Sequence, residues 1–511
     1  MSASVVSPVF IGRRKELEVL AGLLARAAAA DAGFLVLTGQ CVELGAEGLP
    51  LAPLVDALRA LARTLPRGEL EAALGPAGPG LARLLPELAP DGAARPAAED
   101  LQKAQLLELV LGVLDRLGAS RPVLLVIEDL HWADQSTLDL TAFLIRSLRA
   151  ARVLLVATYR SDELHRRHPL RPLLTSWERA RFVERVEVGR FDRTEVTAQL
   201  AAILGGDPAP SVAEEIFDRS GGNAYLVEEL AGTVRADGDL ADLPPSVRDV
   251  LLSRVDSLSP EAQRLLRIAS VAGRTVADWL LAAVAGIGEA DLYAAVREAV
   301  ESQVLLVAGD GRGYAFRHAL TRDAVYEDML PGERVRLHAA YGAALSESAG
   351  LAGDETALSA ALAYHWYAAL DLPRALPAAV DAASHAMASY APAEALRHLE
   401  RALEILPRVE DAALRTGLDL VEVSRLAAVA AYQSGVVDRS QSLLADALAQ
   451  LPAGADPERR ALLLEQHATA QRDGVNPLSP PRRRRTGRPP RSHLPGSAAS
   501  ARCWSRSTPR S

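Results

Sequence analysis

Lysine is nearly absent from this 511-residue chain: only Lys15 and Lys103 occur, so all but two of its 56 Lys/Arg positions are arginine. Neither lysine follows a glycine, which removes the Gly-Lys-Ser/Thr ending of a phosphate-cradling loop. Two cysteines, Cys41 and Cys503, exclude a disulfide framework and a cysteine-based zinc site. Aromatic residues make up 4% of the chain against 49% hydrophobic overall, so its cores must be built from Leu, Val and Ala. No apolar run approaches the roughly 20 residues needed to span a bilayer. The N-terminus has no basic stretch leading into an apolar core. A soluble, cytoplasmic protein without membrane contact is expected. The preference for arginine reads as a high-GC coding bias rather than a functional signal.

Charge is unevenly spread. The chain carries −9 overall, yet residues 477–511 hold nine arginines and no acid, leaving −18 on the first 476 residues. An acidic body argues against general nucleic-acid binding. The Pro/Arg/Ser tail around Arg482-Arg-Arg-Arg485 has three readings: a nucleic-acid arm, a flexible tail, or translation in a shifted frame. The last accounts best for its abrupt start after Gln471-Arg-Asp-Gly474.

The richest stretch is Val123-Leu-Leu-Val-Ile-Glu-Asp-Leu-His-Trp-Ala-Asp134. Five apolar residues ending in Glu128 and Asp129 are the pattern of a buried parallel strand that delivers carboxylates to its C-terminal end, where open α/β sheets bind ligands. Read alone, such acids also suit the start of a capped turn. After them comes a helix that Ser136 is placed to cap, with Asp139 three residues on. A second buried strand, Val153-Leu-Leu-Val-Ala-Thr-Tyr-Arg160, then ends in an arginine positioned to sense a terminal phosphate. Further segments follow: Arg219-Ser-Gly-Gly-Asn-Ala-Tyr-Leu-Val-Glu-Glu229 and Phe316-Arg-His-Ala-Leu-Thr-Arg-Asp-Ala-Val-Tyr-Glu-Asp-Met-Leu330. Near the start stands Phe10-Ile-Gly-Arg-Arg-Lys-Glu-Leu17.

In this order, these segments resemble the large LuxR-type ATP-binding regulators, members of the signal-transducing AAA+-like ATPases whose core is shared with some adenylate cyclases and kinases. The resemblance runs from about residue 8 to 470. It implies a multidomain chain: an incomplete α/β P-loop NTPase-like core, a winged helix, and a C-terminal TPR-like α-solenoid. It also implies that ATP and Mg²⁺ are the cofactors, with Phe10, Gly12, Arg13, Gly39, Gly222 and Asn223 at the nucleotide. Glu128 and Asp129 would serve as Mg²⁺ ligands and water-activating acids, and Arg160 as the sensing arginine. Two departures stand out. Ala224 replaces the proline that usually follows Gly-Gly-Asn. Phe34-Leu-Val-Leu-Thr-Gly39 looks like a first strand, yet Gln40-Cys-Val-Glu-Leu44 looks like the end of a second. One residue cannot supply the crossover of about a dozen that parallel neighbours require. An internal deletion of about 30 residues, one strand–helix unit, is the economical explanation. Weak or absent phosphate binding is expected.

The divisions expected are an ATPase core over 1–190, a helical lid over 191–245, a winged helix over 246–335, a helical-repeat sensor over 336–472 and a basic tail over 473–511. In the core, Leu107, Val110, Leu111, Leu114 and Leu117 form one apolar helix face, and Phe182-Val-Glu-Arg-Val-Glu-Val188 alternates like a last strand. Leu243-Pro-Pro-Ser246 reads as a linker whose serine caps the next helix, and Gly309-Asp-Gly-Arg-Gly313 as a turn between strands. Ala272-Gly-Arg-Thr275 is a chance likeness to Gly-Lys-Thr. His365 and His385 read as packing or surface residues, not metal ligands. The function implied is a nucleotide-switched transcriptional regulator, impaired in ATP binding and without an output domain. A protein or small-molecule inducer would bind the repeat. Self-association is open, and no sequence-specific DNA binding by this chain is expected. A nucleotide-independent scaffold and a cyclase-type fragment are the alternatives.

Overall fold

A computed structural model describes residues 11–27, 33–41, 49–88, 103–148, 152–237 (apart from 162, 167 and 181), 247–308, 311–348 and 355–474. Phe10, the 243–246 linker, part of the 309–313 turn and the basic tail from 475 onward lie outside the described residues.

The first region runs α1 (Arg14–Ala27), β1 (Leu35–Gln40), α2 (Ala52–Thr64), α3 (Arg67–Leu74), α4 (Gly78–Leu81), α5 (Lys103–Ser120), β2 (Val123–Glu128), α6 (Gln135–Ser147), β3 (Val153–Ala157) and α7 (Leu170–Trp177). The three strands form a parallel sheet in the order β1-β2-β3, with Gln40 beside Glu128 and Ile127 beside Ala157. β1 reaches β2 through the helices from α2 to α5, the long crossover a parallel pair demands. Alternate residues of β1 and β2 are buried.

Four details differ from expectation. β1 runs without a break through Gly39 into Gln40, so the boundary read between those two residues falls inside one strand, while residues 42–44 of the second fragment lie outside the described residues. The buried stripe of α5 is Leu106, Val110, Val113, Leu114 and Leu117, with Leu107 and Leu111 only partly covered. Asp134, not Ser136, caps α6 by accepting from the Thr137 amide, because the helix starts two residues earlier than read. Residues 183–190 join no sheet; alternation alone makes no strand without a neighbour to pair with.

Three packed helices follow: α8 (Arg193–Leu204), opened by an Asp192/Glu195 capping box, α9 (Pro210–Ser220) and α10 (Ala224–Asp237). Next come α11 (Val247–Asp256), α12 (Pro260–Ala272), β4 (Thr275–Ala277), α13 (Asp278–Ala285), α14 (Glu289–Glu301), β5 (Leu305–Val307), β6 (Gly313–Phe316) and α15 (Ala319–Asp328). Their strands make a small antiparallel sheet in the order β4-β6-β5. The remainder is helical: α16 (Pro331–Glu347), α17 (Glu355–Ala368), α18 (Leu372–Ala388), α19 (Pro392–Ile405), α20 (Ala412–Thr416), α21 (Leu420–Gln433), α22 (Val437–Gln450) and α23 (Pro457–Gly474). The long helices here pack chiefly on their sequence neighbours, through alanines that permit close crossings, such as Ala427, Ala430 and Ala431. His365 is buried and His385 half-exposed. Among the described residues no single helix is long and apolar enough to cross a membrane.

Candidate nucleotide site

β2 carries Glu128 and Asp129 to the C-terminal end of the middle strand. Asp129 has a φ of 56°, a left-handed conformation tolerated better by Asp than by most residues. That turn drops the chain from the strand into the short helical turn Leu130–Trp132. The end of β3 staples it: the Asp129 amide donates to Thr158 Oγ1 at 3.1 Å and the Leu130 amide to the Thr158 carbonyl at 2.7 Å. The Asp129 carboxylate is already engaged. Gln40 Nε2 donates to Oδ2 at 3.1 Å, and Arg274, from the segment between α12 and β4, places Nη1 at 3.0 Å from the same oxygen.

Arg160 lies just beyond β3 but turns to Glu163, with Nη1 2.8 Å from Oε1, and its guanidinium lies over Trp132, 5.7 Å from the ring centre. Its backbone amide faces His131 Nδ1 at 3.3 Å. Burial pushes the His131 pKa down, against the opposing pull of Glu163. Cys41 is buried and its thiol is pushed well up, by burial first and by Asp134 and Asp129 next, which leaves it protonated and unreactive.

Two buried carboxylates meet at the start of α6. Asp134 accepts from the Thr137 amide at 2.9 Å, the Leu51 amide at 3.1 Å and the Thr137 hydroxyl. Glu394, on α19 and 1% exposed, accepts from the Gln135 amide and from Ser136 Oγ, each at 2.8 Å, and is paired with Arg397 at 3.2 Å. A helix N-terminus favours negative charge, so both acids suit their place. Desolvation and then the Glu394 charge raise the Asp134 pKa.

The remaining predicted residues do not converge on the acids. Gly12 and Arg13 pack on the entry to α8: a Cβ on Gly12 would meet Glu195 Oε1 at 2.3 Å, and the Arg13 guanidinium lies 4.7 Å from the Phe191 ring centre. Gly222 has a φ of 74°, and its carbonyl accepts from the Phe191 amide at 2.7 Å. Asn223 Oδ1 accepts from the Tyr225 amide at 3.0 Å, a local cap on α10. Tyr225 in turn stacks on His318 at 3.6 Å and bonds Thr321, tying α10 to α15. Lys103 pairs with Asp139.

These residues do not fit a Mg²⁺-triphosphate. Gly39 is pressed against α2, where a Cβ would lie 2.0 Å from the Pro53 carbonyl oxygen, so that glycine serves backbone packing. Asp129 already holds a cation from the protein itself. Sequence reasoning missed Gln40, Arg274 and Glu394. The first ends β1, just past the strand end read at Gly39. The other two sit 145 and about 260 residues from the groups they serve, and no local pattern marks them.

Residues 18–156 match the AAA ATPase domain family, so the acid-bearing sheet lies within an AAA-type ATPase domain. The uncharacterized protein R02095 of Rhizobium meliloti (strain 1021) is 26% identical over 334 residues, covering 62% of this chain and 31% of its own length. This chain therefore spans about a third of that relative. Among solved structures it resembles a Signal Transduction ATPase with Numerous Domains protein with a tetratricopeptide repeat sensor from Pyrococcus horikoshii. That match has a TM-score of 0.39 at 12% identity and covers 93% of this chain and 77% of that one. It also resembles a Walker-type ATPase of Pyrococcus abyssi, with a TM-score of 0.25 at 14% identity, covering 63% of this chain and 98% of that one.

Proposed function

We propose that this chain is a cytoplasmic signalling regulator of the large LuxR-like kind, in which an AAA-type ATPase domain holds a TPR-like sensor in a defined pose. The segment carrying β4, β5 and β6 is its winged helix, used for packing between modules and not for reading DNA. A protein or small-molecule inducer acts on the helical repeat. The observation that carries this reading is the double tether of the acid turn. Arg274 grips Asp129 from the winged-helix side, and Glu394 caps α6 from the repeat side. A ligand that favours a different repeat arrangement would work against the Glu394 cap and so bias the acid turn.

By the family resemblance Glu128, Asp129 and Arg160 would face a nucleotide and Gly222 and Asn223 the lid, but Asp129 is held by Arg274, Arg160 by Glu163, and Asn223 caps α10. ATP affinity is expected to be at least tenfold below that of a relative with a complete phosphate loop, or ~1.4 kcal/mol. Calorimetry with Mg²⁺ and ATP on the wild type, Glu128→Gln and Asp129→Asn tests this. Micromolar, Mg²⁺-dependent binding lost in both variants would restore a working nucleotide switch. The second reading, a nucleotide-independent scaffold, is favoured by Gly39 packed on Pro53. Its signature is identical inducer binding with and without ATP.

A further inference from the structure

In the helical stack a groove of about 820 Å³ opens along α17 and α18, bordered by the end of α16 and by Arg415 of α20. Contacts at both ends show that the two helices run antiparallel. Near the start of α18 the Arg374 guanidinium lies 4.6 Å from the ring centre of Trp366, near the end of α17. At the other end His385 Nε2 stands 3.9 Å from Glu355, the first residue of α17. Arg374, Asp381 and His385 recur at helical spacing and share the groove-lining face of α18. Leu358 and Leu362 line the groove from α17, and Pro377 and Ala378 add apolar surface between the charged ends.

The charges are divided along the groove. Glu347, Glu355 and Asp381 border one end. Among the described residues neither Glu347 nor Asp381 pairs with an arginine or lysine. Ser346 and Ser359 donate their hydroxyl protons to their own helices, at 2.7 and 3.1 Å, so they too offer lone pairs. Burial pushes the Asp381 carboxyl above the ordinary carboxylate range, against the pull of His385, so its ionised form gains from a cation brought alongside. Positive charge comes from Arg374, held by Asp371 of the adjacent turn at 3.4 Å, and from Arg415, whose Nε donates to the Glu410 carbonyl at 3.4 Å. Arg374 and Asp381 are seven residues apart, or ~10 Å along the helix. Between them stands an acceptor without its helical donor. Pro377 lies inside α18 and has no amide to give the Pro373 carbonyl one turn back, and both prolines line the groove.

We infer that this groove binds a short apolar peptide of about three residues with both ends free. Its ammonium lies among Asp381, Glu355 and Glu347, its carboxylate reaches Arg374 and Arg415, and an amide N–H between them serves the Pro373 carbonyl. Three extended residues span ~10 Å, the separation of the charged ends. Apolar side chains suit Leu358, Leu362 and Trp366. The inference rests on the reading of the helical repeat as the module on which an inducer acts, and it names the class of that inducer.

The test is calorimetry on the full chain with four probes. They are the tripeptide Ala-Leu-Ala, its N-acetyl form, its C-amide form, and aminooctanoic acid, which has the same two ends and no amide. Saturable binding of the free tripeptide is expected, with amide exchange slowed in α17 and α18. Acetylation and amidation should each weaken it at least tenfold. Asp381→Asn should weaken binding of the free peptide and remove the effect of acetylation; Arg374→Gln should do the same for amidation. Both positions are exposed, so the variants spare the fold, and Arg415→Gln gives a second variant at the carboxylate end. Absence of binding, binding indifferent to capping, equal binding of aminooctanoic acid, or protection confined to other segments overturns the inference. Exchange at the start of α6 separates this result from the function proposed above. Peptide binding that leaves α6 unchanged supports the groove and sinks the coupling of the repeat to the acid turn.

Discussion

The sheet region and the helical stack are built on opposite principles. In the stack, each long helix buries its face on the next in sequence, through small residues one turn apart. In the sheet region every important contact is distant in sequence: β1 with β2, Arg274 with Asp129, Glu394 with α6. A stack distributes stability over repeated nearest-neighbour interfaces. A sheet of three strands concentrates it in a few approaches that have no substitute.

The largest expected effect tests that concentration. Gly39→Ala places a Cβ 2.0 Å from the Pro53 carbonyl oxygen, backbone against backbone. It should destabilise the sheet region by about 3 kcal/mol, at the upper end for overpacking. Gly342→Ala in α16 meets the Trp366 ring at 2.7 Å, a side chain and not backbone, and should cost less. Urea denaturation of the two variants decides; equal losses would erase the contrast between regions.

Glu394→Ala removes the shared acceptor of the Gln135 amide and Ser136 hydroxyl and should cost about 2–3 kcal/mol, the range for hydrogen bonds to a charged group. Hydrogen exchange should quicken at the start of α6, far from the mutated helix in sequence. A loss confined to α19 would mean the two regions are not coupled there.

Acidification should separate the regions by sign. His338 and His365 share a hydrogen bond at 2.9 Å between α16 and α17. Burial pushes them from 6.5 down to about 4 and about 3 respectively. Tyr326, Tyr341 and Tyr364 face the pair, and Arg322 and Arg334 further oppose charge on His338. Both rings are neutral in the fold, so their contribution is complete above pH 6.5 and is lost as pH falls toward 4. Asp134 behaves oppositely. Its raised pKa makes the folded state hold the extra proton, so its contribution grows as pH falls below its folded value. Protection factors, corrected for the intrinsic pH dependence of exchange, should therefore fall across α16–α17 on acidification while those at the α6 start rise; parallel changes would contradict the assignment.

The smallest effect is expected from Arg274→Ala. The pair with Asp129 is partly exposed, so the loss should be near 0.5 kcal/mol in a thermal melt. A loss several times larger would show that Arg274 organises the acid turn itself.

What the sequence made legible follows the same division. The runs Val123–Ile127 and Val153–Ala157 are readable as strands because their apolar letters are continuous, although β2 buries only alternate residues and β3 is half-exposed. The acids Glu128 and Asp129 were readable because they end such a run. The helices of the stack carry their partners next door and announce themselves by period. The 182–188 segment shows the limit: its letters describe a strand, but pairing is a property of a neighbour that the segment does not contain. Arg274 and Glu394 show it again, since a guanidinium or carboxylate bound for a site so far along the chain looks locally like any surface charge.

Tyr390, in the turn between α18 and α19, adopts a φ of 60° and is buried in the same apolar cluster as Leu81, Leu85 and Leu140, with the Arg83 guanidinium 4.8 Å from its ring centre. The sheet region thus takes a core residue made some 230 positions after the end of its own last strand. At about 5–20 residues per second, that core waits roughly 12–50 s for its final piece. During that interval its apolar cluster is incomplete, and chaperone capture should fall on nascent chains from which Tyr390 has not yet emerged.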